Sequence, residues 1–283
     1  YADYLQEAVL LSLAGLLVAW FGCQWAAPHV ASWLPLGEPG SRVNHVAALV
    51  LGEGGGRDRG GLADPLGLVG LHVDGHVDQL EQRWQDGPNV VHWDLEGFVG
   101  TDTNRVWYRS EGDMRTNGPS GGDFQAQLLY SRHILPFWDF QVGVARDETF
   151  GSGTDHQRTR AMIGLEGLAP YWFEVEPAIF IGDGGDVAAR FTTTMDLYLT
   201  QRLIAQPRFE INAATKDATD FGIESGVSNV ELGLRLRYEV WREFAPYVGV
   251  SWIRKLGATE DLARDRGEEY RVLSFVLGVR LWF

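Results

Sequence analysis

The end of the chain alternates in side-chain character at every second position up to a terminal phenylalanine. Successive side chains of a β-strand point to opposite faces, so the fourteen residues from Tyr270 to Phe283 predict a strand with one apolar and one mixed face. The apolar face carries Leu273, Phe275, Leu277, Val279, Leu281 and Phe283. A strand of this kind that closes on an aromatic residue is typical of an outer-membrane β-barrel.

The same period recurs between Val230 and Val240, where charged residues separate the apolar ones. One such strand also suits a soluble sandwich, but its repetition along the chain would require a very large shared core. We therefore expect the apolar side to face lipid and the charged side to face a lumen. The lipid-facing set is Val230, Leu232, Leu234, Leu236, Phe275, Leu277 and Val279, and the lumen set is Glu231, Arg235, Arg237 and Glu239.

Twelve segments of about ten residues show this alternation. They span residues 70–84, 89–99, 104–114, 122–133, 137–147, 157–168, 171–182, 189–201, 203–215, 228–241, 243–255 and 270–283. Short connections alternate with long polar ones at 147–156, 216–228 and 256–269, which is typical of periplasmic turns and extracellular loops. Lipid cannot satisfy an unpaired strand edge, so the first and last strands must pair. The predicted fold is all-β, a closed twelve-stranded antiparallel transmembrane β-barrel.

Composition agrees with a barrel in the outer membrane of a Gram-negative bacterium. The chain has 35 Gly and 11 Trp among 283 residues, and barrels use Trp at both membrane–water interfaces. A single cysteine excludes an internal disulfide. The net charge of -14 argues against nucleic acid as a partner and suits loops that meet cations.

The first part of the chain differs from the rest. Residues Ala8 to Ala27 carry no charge over about twenty positions, long enough for a membrane helix or a signal segment. Residues Gly52 to Gly61 resemble a flexible linker. The sequence thus predicts a hydrophobic, helical N-terminal segment at 1–51, a Gly-rich linker at 52–63 and the barrel at 64–283. We expect the N-terminal segment to contribute no strand and to lie outside the lumen, against lipid or another protein.

Several long blocks resemble the copper resistance protein B family. They are 199–212 (LTQRLIAQPRFEIN), 222–250, 275–283 (FVLGVRLWF), 78–81 (DQLE) and 104–113 (NRVWYRSEGD), and the resemblance covers about residues 64–283. It implies an outer-membrane barrel that helps cells tolerate copper by binding or moving the ion. The family usually carries a Met- and His-rich segment before the barrel, whereas this chain has only Met114, Met162 and Met195.

A ladder of potential metal ligands lies on the polar faces of the first two predicted strands. Residues two apart on one strand are about 6.5–7 Å apart, but neighbouring strands are only about 4.8 Å apart, so His and Asp can converge across strands. Imidazole and carboxylate ligands suit Cu(II), whereas Cu(I) prefers sulfur. The candidate copper ligands are His72, Asp74, His76, Asp78, His92, Asp94 and Glu96, with Met162 added because it shares a polar face with Arg160 and Glu166.

Two other interpretations of the lumen stay open. Narrow barrels fill their interior with ion pairs, and the chain supplies Arg109, Arg158, Arg160, Arg208, Arg235 and Arg237 against Glu111, Glu166, Glu174, Glu176, Glu210 and Glu231. The alternative function is therefore a general small-solute porin or a structural barrel without metal binding. An enzyme is not expected, because Ser110 stands alone on the outer face with no His beside it. Expected partners are membrane lipid, copper ions, and periplasmic copper-handling proteins or a larger membrane assembly formed through residues 1–51.

Overall fold

The computed structural model describes residues 72–118, 121–151 and 155–282, without the side chains of His72 and Val73. Antiparallel strands dominate these residues. They are β1 (His72–Gln85), β2 (Val90–Gly100), β3 (Asn104–Arg115), β4 (Gly121–Leu135), β5 (Trp138–Gly151), β6 (His156–Ala169), β7 (Phe173–Ile181), β8 (Val187–Met195), β9 (Leu197–Tyr198), β10 (Leu203–Ala214), β11 (Gly226–Tyr238), β12 (Phe244–Lys255) and β13 (Arg271–Trp282). One helix, α1 (Gly257–Asp265), and 3₁₀ turns at Pro170–Trp172, Asp183–Gly185 and Thr219–Phe221 lie between strands.

The sheet closes on itself. Each strand pairs with its neighbour in the chain, β13 pairs with β1, and β10 pairs with β11. Strand β9 continues β8 along the same side of β10, so the two together form one of twelve barrel strands. The predicted closed twelve-stranded antiparallel barrel is confirmed, including the pairing of the first and last strands.

Most strand boundaries agree with the sequence pattern, and two differ. The predicted strand 189–201 is wrong beyond Tyr198, because the Thr200 hydroxyl accepts hydrogen bonds from the backbone N–H groups of Arg202 and Leu203 and forms a turn. The predicted long loop at 147–156 is also wrong. Both strands continue, and Thr149 pairs with His156.

The alternation assigns the two faces as predicted. Leu234 and Phe275 are 50% and 53% exposed on the outside, whereas Arg235 is 2% exposed inside the barrel. Leucine, valine and isoleucine at outward positions of the other strands are similarly exposed, for example Val144 and Ile163. The outer surface is therefore an apolar band, and the charged residues fill the lumen.

A β-bulge in β1 changes the phase of this alternation. The register with β2 and β13 shifts between Val77 and Leu80. A bulge sets two residues of one strand against one of its partner. As a result Asp78 and Gln79 both line the lumen, and beyond the bulge the lumen side is taken by Glu81 and Arg83.

The two ends of the barrel differ. The turn end, which contains the start of β1 and the end of β13, has the connections 101–103, 136–137, 170–172, 199–202 and 239–243. The loop end carries the longer connections 215–225 and 256–270, and α1 lies in the second of these. The sequence analysis did not predict α1, which buries Thr259 and Ala263 and whose Thr259 hydroxyl accepts a hydrogen bond from the Glu224 N–H at 3.0 Å.

None of the helices in the described ranges is both long and apolar enough to cross a membrane. The predictions for the hydrophobic segment at 1–51 and the linker at 52–63 fall outside the described residues.

Replacing Leu234 by Arg tests the orientation of the apolar band. A guanidinium on the lipid face near the bilayer midplane should lower the free energy of unfolding by roughly 2–4 kcal/mol. Urea titration of protein folded into lipid vesicles measures the change. The matched variant Leu234→Val keeps the position apolar and should cost less than about 1.5 kcal/mol; equal losses from both would show that Leu234 does not face lipid.

Candidate metal site in the lumen

A cavity of about 1360 Å³ occupies the lumen at the turn end. It reaches from Phe137 and Trp282, at the rim, to Glu111 and Arg190 in the middle of the barrel. Its lining includes five of the eight predicted metal ligands, namely His76, Asp78, Asp94, Glu96 and Met162. Much of the predicted ladder therefore lines this lumen cavity and does not face lipid.

His76 is the predicted ligand with the most carboxylate around it. Its Nδ1 lies 3.3 Å from Asp74 Oδ1, and its Nε2 lies 3.7 Å from Glu96 Oε1 on the neighbouring strand. Nδ1 is buried and has no hydrogen-bond partner within the described residues. The indole N–H of Trp282 donates to Asp74 at 3.0 Å, and its ring lies 5.4 Å from the His76 ring. We call Asp74, His76 and Glu96 the His76 site.

His92 lies apart from this site. The register of β1 and β2 pairs Glu96 with His76 but His92 with Glu81. Four positions separate Glu96 from His92, which is roughly 13 Å along a strand. His92 is 4% exposed, its Nδ1 lies 2.9 Å from Asp113 Oδ1, and its Nε2 is buried without a partner in the described part of the chain. The predicted ladder is thus divided into two places.

The remaining candidates have other neighbours. Asp78 pairs with Arg280 at 2.9 Å, and Asp94 with Arg208 at 3.5 Å. Met162 is 3% exposed and packs in an apolar cluster on the lumen wall with Trp107, Leu129, Ala145, Ala178 and Phe180. The backbone of His72 pairs with Gly100, and its side chain is outside the described parts. Across 72–118, 121–151 and 155–282, no group of three or more His, Cys, Asp or Glu is arranged to hold a metal ion.

Arginines bridge the middle of the lumen. Arg109 of β3 contacts Glu96 at 3.1 Å on β2, Glu166 at 2.9 Å on β6 and Glu176 at 3.1 Å on β7. A second bridge joins Arg190 of β8 to Glu111 of β3 at 2.9 Å. These pairs connect distant walls of the barrel; in the register Arg109 is level with Glu96 of the His76 site, and Glu111 is opposite Asp94, between Glu96 and His92. The predicted ion-pair network is present, and it shares Glu96 with the metal candidates.

A buried network around Glu81 lies on the wall formed by β1, β11 and β12. The Glu81 carboxylate accepts hydrogen bonds from Arg83, from two nitrogens of Arg235 and from the Tyr247 hydroxyl, all at 2.8–2.9 Å. The side chains of Glu81, Arg83 and Arg235 are 0%, 4% and 3% exposed. Every lone-pair direction of the carboxylate has a donor, which is the condition under which a buried charge is tolerated.

Sequence reasoning missed Asp113, Trp282 and Glu81 as neighbours of the two histidines. Asp113 lies on the lumen face of β3 by simple alternation, so its side was available from the sequence. Its pairing with His92 required the register of β2 and β3. Glu81 is not among the predicted lumen residues; the bulge after Val77 reverses the phase of β1 and brings Glu81 to the lumen face.

Replacing Arg235 by Gln should destabilise the barrel, because Glu81 then keeps only Arg83 as a charged partner. Breaking a buried ion pair costs about 3–5 kcal/mol. Because Arg83 still pairs with Glu81, we expect a loss at the low end, about 3 kcal/mol. Urea unfolding in lipid vesicles measures the loss. The control Arg146→Gln removes a side chain that is 49% exposed, where the expected cost is below about 1 kcal/mol. An Arg235→Gln variant as stable as this control would contradict the network.

The family model described as "Copper resistance protein B precursor (CopB)" matches residues 72–283. The chain is 42% identical over 207 residues to "Copper resistance protein B" of Escherichia coli, covering 73% of this chain and 68% of the relative. It is 42% identical over 209 residues to "Copper resistance protein B homolog" of Pseudomonas syringae pv. tomato, with the same coverage of 73% and 68%.

Solved structures with a similar course of the chain include two porins. The NanC porin has a TM-score of 0.48 at 14% identity, over 74% of this chain and 99% of that structure. The KdgM porin has a TM-score of 0.45 at 11% identity, also over 74% and 99%.

Proposed function

The chain belongs to the copper resistance protein B family, and we propose that its barrel supports copper tolerance by binding Cu(II) weakly in the lumen, first at the His76 site. The location of the protein follows from its fold and its relatives. A closed barrel with an apolar outer band spans a membrane, and its relatives come from two Gram-negative bacteria, so the protein is in the outer membrane.

The single observation that carries the proposal is the environment of His76. One imidazole lies between two carboxylates from two strands, beside a solvent-sized cavity. Its Nδ1 is buried and makes no hydrogen bond within the described residues, so a cation at this nitrogen would displace no existing hydrogen bond there. Nitrogen and oxygen ligands of this type suit Cu(II). His72 stays a ligand predicted from the sequence alone, because it is four positions from His76 on β1, roughly 13 Å along the strand, and would not reach the same ion.

Weak binding is expected from the competition inside the lumen. Glu96 is shared with Arg109, and both Asp78 and Asp94 are paired with arginines. A copper ion would have to draw these carboxylates away from existing partners, and the described residues offer no preformed three-ligand group. Water would complete the coordination. Such a site exchanges its ion readily. This suits a protein that binds copper transiently and releases it, and not one that stores it.

The competing proposal is a general porin or a purely structural barrel. A wide aqueous pore is disfavoured by the bridges of Arg109 and Arg190, which join opposite walls in the middle of the lumen. A structural barrel would use the same ion pairs without any metal. The two histidines distinguish these alternatives, because copper binding would use His76 Nδ1 and His92 Nε2, which make no hydrogen bond within the described residues.

We further propose a binding role rather than an enzymatic one. Ser110, the outward hydroxyl considered as a nucleophile, accepts a hydrogen bond from the Trp93 indole at 3.3 Å, and its neighbour is therefore not a general base. Lipid and copper ions are the partners that this proposal needs. Periplasmic copper-handling proteins, or a larger assembly formed through residues 1–51, stay a prediction from the sequence.

Removing the histidines should abolish copper uptake. We expect detergent-solubilised parent protein to bind Cu(II) with nitrogen hyperfine structure in its electron paramagnetic resonance spectrum. The His72/His76/His92→Ala variant should lose that structure, and His76→Ala alone should lose most of it. The control His156→Ala removes an imidazole near Asp220 at the loop end and should leave the spectrum unchanged.

Two outcomes would contradict the proposal. If parent and triple variant bind the same copper with the same hyperfine pattern, the metal is held elsewhere. If neither binds copper, the lumen residues are only structural, and the copper role rests on family membership alone.

Copper uptake should also decrease as the pH falls from about 7.5 to about 5. An imidazole nitrogen binds either a proton or a metal ion, so protons compete with copper over this range. The same spectroscopic titration repeated at several pH values measures the change. Uptake that is independent of pH would indicate carboxylate ligands alone.

A further inference from the structure

The lipid-facing side of the barrel has a feature that copper binding does not use. Arg254 of β12 and Arg271 of β13 are direct partners in the antiparallel register, and both side chains are exposed. They continue the outward rows of their strands, after Val248 and Val250 on β12 and before Leu273 on β13. Two arginines therefore stand side by side on the outer wall of the barrel.

This arrangement is unfavourable by itself. Like charges directly opposite each other on neighbouring strands repel. Glu260 of α1 lies 3.7 Å from Arg254, but the same carboxylate is also paired with Arg264. The side chain of Arg271 has no ion pair or hydrogen bond with any residue in the described ranges. An anion beside the two arginines would reduce the repulsion that Glu260 offsets only in part.

The level of the pair on the barrel identifies the kind of anion. The next outward pair toward the membrane is Trp252 and Leu273, and Trp residues mark membrane–water interfaces. Arg254 and Arg271 lie two positions closer to the loop end, roughly 7 Å beyond this pair. The loop end is the extracellular end in barrels of this class. The two guanidinium groups are thus at the height of the outer-leaflet headgroups.

A third arginine borders the pair. Arg264 lies over the ring of Tyr270, the residue before Arg271, at 4.4 Å from the ring centroid. Its helix holds Glu260 on the same face, four positions earlier, whereas Asp261 and Asp265 follow about 100° further around the helix. The guanidinium groups of Arg254 and Arg264 thus share the Glu260 carboxylate, and Arg271 stands beside them at the edge of the apolar band.

We propose that Arg254 and Arg271, with Arg264 at their edge, bind the phosphate of a phosphorylated lipid headgroup in the outer leaflet. A guanidinium offers paired N–H donors that match phosphate oxygens, and two of them can share one phosphate. The acyl chains of the same lipid would then lie on Leu273 and Phe275 below. This site is on the opposite face of the wall from the lumen, so it is independent of the copper proposal.

The test compares nanodiscs of phosphatidylcholine alone with nanodiscs that also contain lipid A. Lipid A retained by the protein is measured by native mass spectrometry for the full chain. The parent should retain it, and the Arg254→Gln/Arg271→Gln variant should bind it about tenfold more weakly. The control Arg132→Gln removes an exposed outward arginine at the turn end and should bind as the parent does. Equal retention by parent and double variant would overturn the proposal.

A second measurement separates lipid binding from a purely structural effect. Without lipid A, Arg271→Gln should raise the unfolding temperature, because it removes the repulsion with Arg254. With lipid A the same variant should be less stable than the parent. If the change in unfolding temperature relative to the parent has the same sign with and without lipid A, the proposal is overturned. Displacement of lipid A by millimolar inorganic phosphate would identify a free-phosphate site and would likewise overturn it.

Discussion

The requirement that every backbone polar group be paired within lipid determines most of this structure. An open edge on β1 or β13, or between β10 and β11, would expose unpaired N–H and C=O groups to hydrocarbon, where each costs several kcal/mol. Closure removes these edges. Once the sheet is closed, strand alternation leaves only two environments for side chains. Successive residues face lipid and the narrow lumen in turn.

The narrow lumen explains why the proposed copper ligands and the structural ion pairs involve the same residues. Charges that point inward have limited access to water, so each needs a partner, as Glu81 has in Arg83 and Arg235. Glu96 illustrates the compromise, since it lies between His76 and Arg109. A carboxylate that already has an arginine is a poorer metal ligand. A barrel of this kind therefore favours loose and exchangeable binding over a rigid metal centre.

The sequence was sufficient for the strands, their faces and the closure, because period-two alternation is a local property. It was insufficient where a long-range register decides the outcome. The bulge after Val77 places Gln79 in the lumen beside Asp78, and nothing in the local pattern indicates the extra residue. The Asp113 partner of His92 depends on the offset between β2 and β3. The helix α1 is only nine residues long and mostly polar, so its sequence resembles that of a loop.

The division of the ladder has a consequence for how copper could move. The cavity leads from the turn end to the His76 site, so an ion that enters from the periplasmic side would meet that histidine first. His92 lies roughly 13 Å further along β2, and between them Asp94 pairs in register with Glu111, which carries the bridge to Arg190. If copper passes between the two histidines as proposed, it meets Asp94 with Arg208 and Glu111 with Arg190 on the way. Under the proposed function, holding copper and passing it would differ in whether these ion pairs stay closed, because a guanidinium repels a divalent cation while its carboxylates are not released to the ion.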